Sequence, residues 1–182
     1  MPELLTVGHG TLSQVDLGQL LREAGVAALV DIRIGPGSRR HPHVNRAALE
    51  RWLPELGVEY RWEQRLGGFR KLPEGSPDTA LRNESFRAYA AHMRTAPFED
   101  ALAEVLAEVQ QRRTAVMCSE TVWWRCHRRL VADHVEQLHD LRVLHLMPGG
   151  RLAPHRVTDA ARVDDHVLVY DQPPADRAEV ST

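Results

Sequence analysis

Lysine is almost missing from this chain: Lys71 is the only one among 23 basic residues. Arginine abundance is partly compositional, so the position of each arginine has to carry any argument. Cysteine is scarce as well. Cys118 and Cys126 are the only two, too few for the disulfide framework of a small secreted scaffold. No apolar run approaches the ~20 residues that a membrane-spanning helix needs. The opening Met-Pro-Glu-Leu-Leu has neither the basic segment nor the apolar stretch of a signal peptide. A cytoplasmic protein without a membrane partner is therefore expected. There is no G-x-G-x-x-G after the first apolar run and no G-x-x-x-x-G-K-[ST], which disfavours the usual NAD and ATP sites. No cofactor is expected. A net charge of −2 rules out a bulk polycation that coats nucleic acid without specificity.

What is present reads as one α/β domain. With 182 residues, 43% of them hydrophobic, the chain can bury a sizeable core. Leu4 to Val7, Val26 to Ile32, Val58 to Trp62, Ala115 to Cys118 and Leu141 to Met147 are strand candidates. Helical spacing follows Ser13, with Asp16 completing a capping-box pattern. It recurs from Asn45 to Leu56 with Pro54 late in it, over 83–94 and 98–112, and from Cys126 to His139. This alternation predicts a Rossmann-like, doubly wound, mainly parallel five-stranded sheet with helices on both faces. Val167 to Tyr170 is a candidate extra edge strand. Residues 1–171 form the expected domain, and 172–182 the expected flexible, acidic, Pro-containing tail.

In an open parallel sheet, ligands bind outside the carboxyl ends of the strands. The residues just after each strand are therefore the candidates. His9 follows the first strand and can act as a general acid or base near neutral pH. Asp31, in an apolar strand, is costly to bury as an ion without a partner. Arg33 points to the same side and can pair with it, as a structural ion pair or to orient a substrate. The third strand brings Tyr60. The loop after the second strand carries Ser38, Arg39, Arg40 and His41 among glycines that let backbone N–H groups approach an anion. Residues 33–71 hold nine Arg or Lys against four Glu, so a local basic face is expected.

The segment Cys118-Ser-Glu-Thr-Val-Trp-Trp-Arg-Cys-His-Arg128 is the strongest candidate. Cys118 ends a strand and precedes a helix, where amide N–H groups favour a thiolate. Glu120 is a nearby carboxylate. His127 and Arg128 fall in the expected first helical turn. Cations there oppose the helix dipole by ~0.3–1 kcal/mol each, which makes sense if an anion sits beside them. Trp123 and Trp124 can stack a base or pack the core. The C-x6-R spacing from Cys118 to Arg125, with no preceding His, does not fit a cysteine phosphatase. A zinc site from Cys118, Cys126, His127 and His9 lacks the paired short spacings of such sites, and no metal is expected.

Several of these residues together resemble the family known as domain of unknown function 488. The resemblance spans roughly residues 4–147. It rests on Thr6-Val-Gly-His9, Asp31-Ile-Arg33 with Pro36 and Ser38, Tyr60, Leu66-Gly-Gly68, Cys118-Ser-Glu120 and Cys126-His-Arg128. The family often has Ser after the first His, where this chain has Gly10. The resemblance implies a Rossmann-like α/β domain, supplies no settled reaction, and links some members to DNA repair.

Three functions follow as expectations. The first is an enzyme acting on a phosphate-bearing substrate, a nucleotide or nucleic acid. His9, Asp31 and Glu120 would move protons; Arg33, Ser38, Arg39, Arg128 and the helix start at Cys126 and His127 would hold the anion; and Tyr60 or the Trp pair would stack a base. The second is a thiol redox or sulfur-transfer protein with Cys118 as nucleophile and Cys126 as resolving thiol. The third is a non-enzymatic module with a basic rim and no concave pocket.

Overall fold

A computed structural model describes residues 1–172. The acidic tail expected from residue 172 onward lies outside the described residues, apart from Gln172. Five parallel strands run through the middle: β1 (Leu4–Gly8), β2 (Ala28–Asp31), β3 (Glu59–Trp62), β4 (Thr114–Cys118) and β5 (Val143–Leu146). A sixth, β6 (Leu152–Pro154), pairs antiparallel with β5. The order is β3-β2-β4-β1-β5-β6. The sheet thus has six strands, not the expected five. β6 is three residues long and partly exposed, so it carries no periodic signal. In dinucleotide-binding domains β1 lies beside β2; here β4 is inserted between them.

Five helices cover the sheet: α1 (Gln14–Glu23), α2 (Arg46–Glu55), α3 (Glu84–Met93), α4 (Ala96–Gln111) and α5 (Arg128–Leu138). Alternate side chains of a strand point to opposite faces, and the sheet sorts them into two cores. Leu5, Val7, Leu29, Ala115 and Met117 pack with Leu17 and Leu21 of α1 and Leu49 and Leu53 of α2. Leu4, Val30, Val116 and Val143 pack with Tyr89 of α3, Leu102 and Val105 of α4, and Leu130 and Val135 of α5. Burial on both faces explains why these strands read as unbroken apolar runs.

The caps are partly as expected. Ser13 Oγ accepts the Asp16 N–H at 3.1 Å and fixes the start of α1. Asn45 precedes α2 but does not cap it. Its side-chain oxygen accepts the Ser38 N–H instead, tying down the Gly- and Arg-rich loop. Helix α5 begins at Arg128 with His127 as its cap residue, two residues later than expected. The strand at Val167–Tyr170 exists but does not join the main sheet. As β8 it pairs with β7 (Ala161–Asp164) in a separate hairpin. Asp165 and His166 take positive φ at its turn, the conformation a tight two-residue hairpin requires.

The order of strands positions the site. The helices after β1 and β2 lie on one face, and those after β3 and β4 on the other. Strand β4 is therefore flanked on both sides by strands whose chains leave to the opposite face. Crevices open at its carboxyl end. The loops stay in register there: His9 N–H donates to Cys118 O at 3.0 Å, Gly10 N–H to Ser119 O at 2.9 Å, and Ile32 N–H to Met117 O at 2.9 Å.

This close approach has no room for a side chain on Gly8. A Cβ there would lie 1.8 Å from Glu120 O and 2.7 Å from an Arg128 guanidinium nitrogen. Gly8→Ala should therefore cost at least ~3 kcal/mol in a urea unfolding measurement. Gly37→Ala, with nothing within 4 Å of the added carbon, should change stability little.

Candidate functional site

A cavity of about 530 Å³ opens at the carboxyl ends of β1, β2 and β4. His9, Arg33, Ser38, Cys118, Glu120, Cys126 and His127 line it, together with Phe69, Asn83, Ser85, Phe86, Tyr89, Ser119 and Arg125. Two constellations organise these walls.

The first is built around Arg33. Its Nε and one Nη donate to the two oxygens of Asp31 at 2.8 and 2.5 Å, and that Nη also donates to Val44 O at 2.7 Å. The other Nη donates to His9 Nε2 at 3.3 Å. Asp31 also accepts the Arg33 N–H at 3.2 Å and the Tyr60 hydroxyl at 2.8 Å. With four donors on two oxygens, Asp31 is saturated and fully buried. It holds Arg33 in place and has no lone pair free for a substrate proton. A guanidinium has five N–H groups; four are taken, and the fifth belongs to the nitrogen that meets His9. Because Arg33 only donates, His9 Nε2 accepts and Nδ1 carries the proton, donating to Gly10 O at 3.0 Å. Burial, with the Arg33 charge beside it, pushes His9 down to about 4. At neutral pH it is an uncharged acceptor, not an anion-binding cation.

The second constellation is Cys118, Cys126 and His127. His127 Nε2 donates to Ile32 O at 3.0 Å, a partner that fixes the ring. Its Nδ1 faces both sulfurs, 3.8 Å from Cys118 Sγ and 3.6 Å from Cys126 Sγ. The Tyr89 ring packs against it at 4.9 Å between centroids. Both cysteines are buried and unbridged. The neighbouring Cys118 side chain holds Cys126 below the ordinary thiol range, and the Arg128 charge adds to this. The same contact, with burial, pushes Cys118 up.

Arg128 sits beneath both constellations, 1% exposed. One Nη donates to Glu120 O and the other to Thr6 Oγ1 at 3.3 Å. Since Arg128 only donates, the Thr6 hydroxyl directs its own proton to His145 Nδ1 at 2.6 Å. His145 Nε2 then donates to His155 Nδ1 at 3.0 Å, and His155 Nε2 to Asp133 Oδ1 at 2.8 Å. Asp133 is completed by Thr158 and by the Tyr170 hydroxyl at 2.9 Å. This directed chain links α5 to β1, β5 and the hairpin.

Other expected residues fall elsewhere. Arg128 serves the turn from below and does not line the cavity. Arg39 is exposed and outside the lining. Tyr60 is occupied by Asp31. Trp123 stacks on His145 at 4.1 Å, and Trp124 lies outside the cavity wall. The expected basic face is neutralised only in part: Arg46 pairs with Glu50, Arg61 with Glu63 and Glu108, and Arg65 with Glu63 and Glu104, whereas Arg39, Arg40, Arg51, Arg70 and Lys71 form no ion pair within the described residues. Among the lining residues, Glu120 is the one carboxylate, and Arg125 forms no ion pair within the described residues. Tyr89, Asn83, Ser85 and Phe86 were not anticipated. They lie on or beside α3, which carries only an ordinary amphipathic pattern. A side chain at Gly10, whose φ is 48°, would meet Thr121 Oγ1 at 2.1 Å, so the β4–α5 turn closes over this position.

Fold and cavity together define an α/β protein with a ligand-sized cleft at a switch point of its sheet. Residues 14–135 match the family described as Domain of unknown function DUF488, and the chain belongs to that family. No curated protein and no solved structure shows significant similarity to the chain. Among the described residues, no helix is long and apolar enough to cross a membrane.

Burial sets the pH response. His9 and His134 are held down to about 4 and His145 to about 3, in each case chiefly by desolvation. In the unfolded chain they titrate near the ordinary value of 6.5. Between these values the unfolded chain binds more protons, so acidification favours unfolding. Stability should be full above pH 6.5. It should fall by roughly 1.4 kcal/mol per pH unit per histidine as the pH drops toward 4. Denaturation midpoints measured from pH 7.5 to 4 check this, and a flat profile would contradict it.

Proposed function

We propose that the cavity is the active site of an enzyme acting on a phosphate-bearing substrate, a nucleotide or the end of a nucleic acid. The observation that carries this reading is the Arg33 arrangement. A buried ion pair is expensive to assemble and adds little net stability. Here Asp31, itself held by Tyr60, together with Val44 O and His9, holds a guanidinium whose remaining N–H is left beside the cavity. Planar N–H donors of this kind suit phosphate oxygens. Arg125 at the rim adds a second cation. Phe69 is 90% exposed with φ of 58°, a strained, solvated aromatic at the cavity wall, and with Phe86 it offers a face for a base. Glu120 is the proton acceptor in reach, since the one acceptor nitrogen of neutral His9 already faces Arg33.

Thiol chemistry is the second reading, and one observation favours it: both sulfurs and the His127 ring nitrogen lie within 4.8 Å of one another. In this version Cys118 attacks and Cys126 resolves. The binding-module reading predicts no concave pocket and sits poorly with a cavity of about 530 Å³.

Binding to a panel of nucleoside phosphates and short oligonucleotides, including ones with damaged ends, tests the leading reading. A phosphorylated ligand should bind. Arg125→Ala should weaken it about tenfold, the loss of one charge-assisted contact, and reduce its salt dependence. Glu120→Gln should leave binding nearly intact and lower turnover. Both residues are exposed, so neither change should impair folding. No binding across the panel would end the proposal.

A further inference from the structure

The geometry points to a divalent metal site of the zinc class on the cavity floor. We propose that Cys118 Sγ, Cys126 Sγ and His127 Nδ1 are three ligands of one ion whose fourth position opens into the cavity. The sequence argued against a metal because the spacing from Cys118 to Cys126 lacks a short pair. The fold supplies the closeness that the spacing does not. Cys118 ends β4, whereas Cys126 and His127 close the 3-10 turn (Trp123–Arg125) that leads into α5.

The distances fit. Tetrahedral zinc, with Zn–S of about 2.3 Å and Zn–N of about 2.1 Å, sets sulfur and nitrogen about 3.6 Å apart. The two separations here are 3.8 and 3.6 Å, and all three ligand atoms lie within 4.8 Å of one another. The ring is already turned for the task. Its Nε2–H is held by Ile32 O at 3.0 Å, the outer-sphere carbonyl contact typical of metal-ligating histidine, and this leaves Nδ1 as the free lone pair. Charge fits as well. Arg128 is buried without a carboxylate partner among the described residues, and its backbone begins α5 two residues beyond Cys126. Two thiolates around a dication form a neutral unit, and uptake releases to solvent whatever protons the two thiols still carry. All three ligand residues line the cavity, so a water completes the set on the side a substrate would enter. Three protein ligands with an open position is the pattern of catalytic zinc, in which the bound water ionises near neutral pH. The binding claim stands apart from the phosphate reading; only the use of that water on a phosphorylated substrate rests on it.

Chelator-treated protein, kept reduced, is titrated with Zn²⁺ against a chromophoric competitor, and separately with Co²⁺. One equivalent per chain should bind. The cobalt adduct should show thiolate-to-cobalt charge transfer and the intense visible bands of a tetrahedral site. Cys118→Ser, Cys126→Ser and His127→Gln should each weaken uptake by at least ~100-fold, since even outer-sphere changes cost 10–100-fold. A second group, Glu99, His134 and His139, also brings ligand atoms within 4.8 Å. Glu99→Gln should leave uptake unchanged. No stoichiometric uptake by the reduced wild-type chain would overturn the proposal, as would a weak octahedral cobalt spectrum or uptake lost in Glu99→Gln and kept in Cys126→Ser. The wild-type titration and spectrum decide the matter even if a variant fails to fold. Neither uses a phosphorylated ligand, so failure here is separate from failure of the nucleotide panel.

Discussion

The site depends on one buried guanidinium. Arg128 reaches from the first turn of α5 to Thr6 of β1 and to the carbonyl of Glu120. It thereby ties the strand, the β4–α5 turn and the helix together at the point where Gly8 leaves room for it. From Thr6 the hydrogen bonds run in one direction through His145 and His155 to Asp133. A chain with both ends fixed by charge, Arg128 at one and Asp133 at the other, also fixes which nitrogen of each imidazole carries the proton. Removing either end leaves a buried charge or an unsatisfied donor, so the turn that presents Cys118, Glu120, Cys126 and His127 is rigid for electrostatic reasons as much as for packing.

Much of this was legible in the chain. The five parallel strands read correctly because burial on both faces makes continuous apolar runs, and the rule that ligands collect at carboxyl ends placed His9, Arg33, Cys118 and Glu120 at one rim. The anomaly at Arg128 was also visible, since a cation in a first helical turn opposes the helix dipole. Its resolution was not. The side chain is long enough to leave the helix end, and its partners are a strand hydroxyl and a carbonyl remote in sequence. Asp31 shows the same limit: pairing with Arg33 could be inferred from their spacing, but its saturation by Tyr60 needs the β2–β3 contact. Asn45 directly precedes α2, yet its side chain bonds the Ser38 N–H and not the helix end. β6 and the β7–β8 hairpin were missed or misplaced because short strands carry too few residues for a period to show.

The cavity brings two kinds of chemistry side by side. One wall carries an arginine held by its own carboxylate next to an uncharged histidine. The other carries two thiols and an imidazole whose orientation is set by Ile32 O. Exposed Phe69, Arg125 and Glu120 stand at the mouth, where mobile substrates would be met. Nothing in the fold needs Arg33 to keep an N–H beside the cavity or Phe69 to stand in solvent, and these are the features that a ligand would explain.

The account's central claim is that Arg33 receives the substrate's anion. Its Nε–H, buried and bonded to Asp31, should give a resolved signal in nitrogen-edited NMR. On titration with a nucleoside monophosphate that signal should shift and saturate with the ligand, while the ion-paired surface residue Arg61 stays unchanged. Shifts confined to surface arginines, with Arg33 unmoved at saturation, would contradict it.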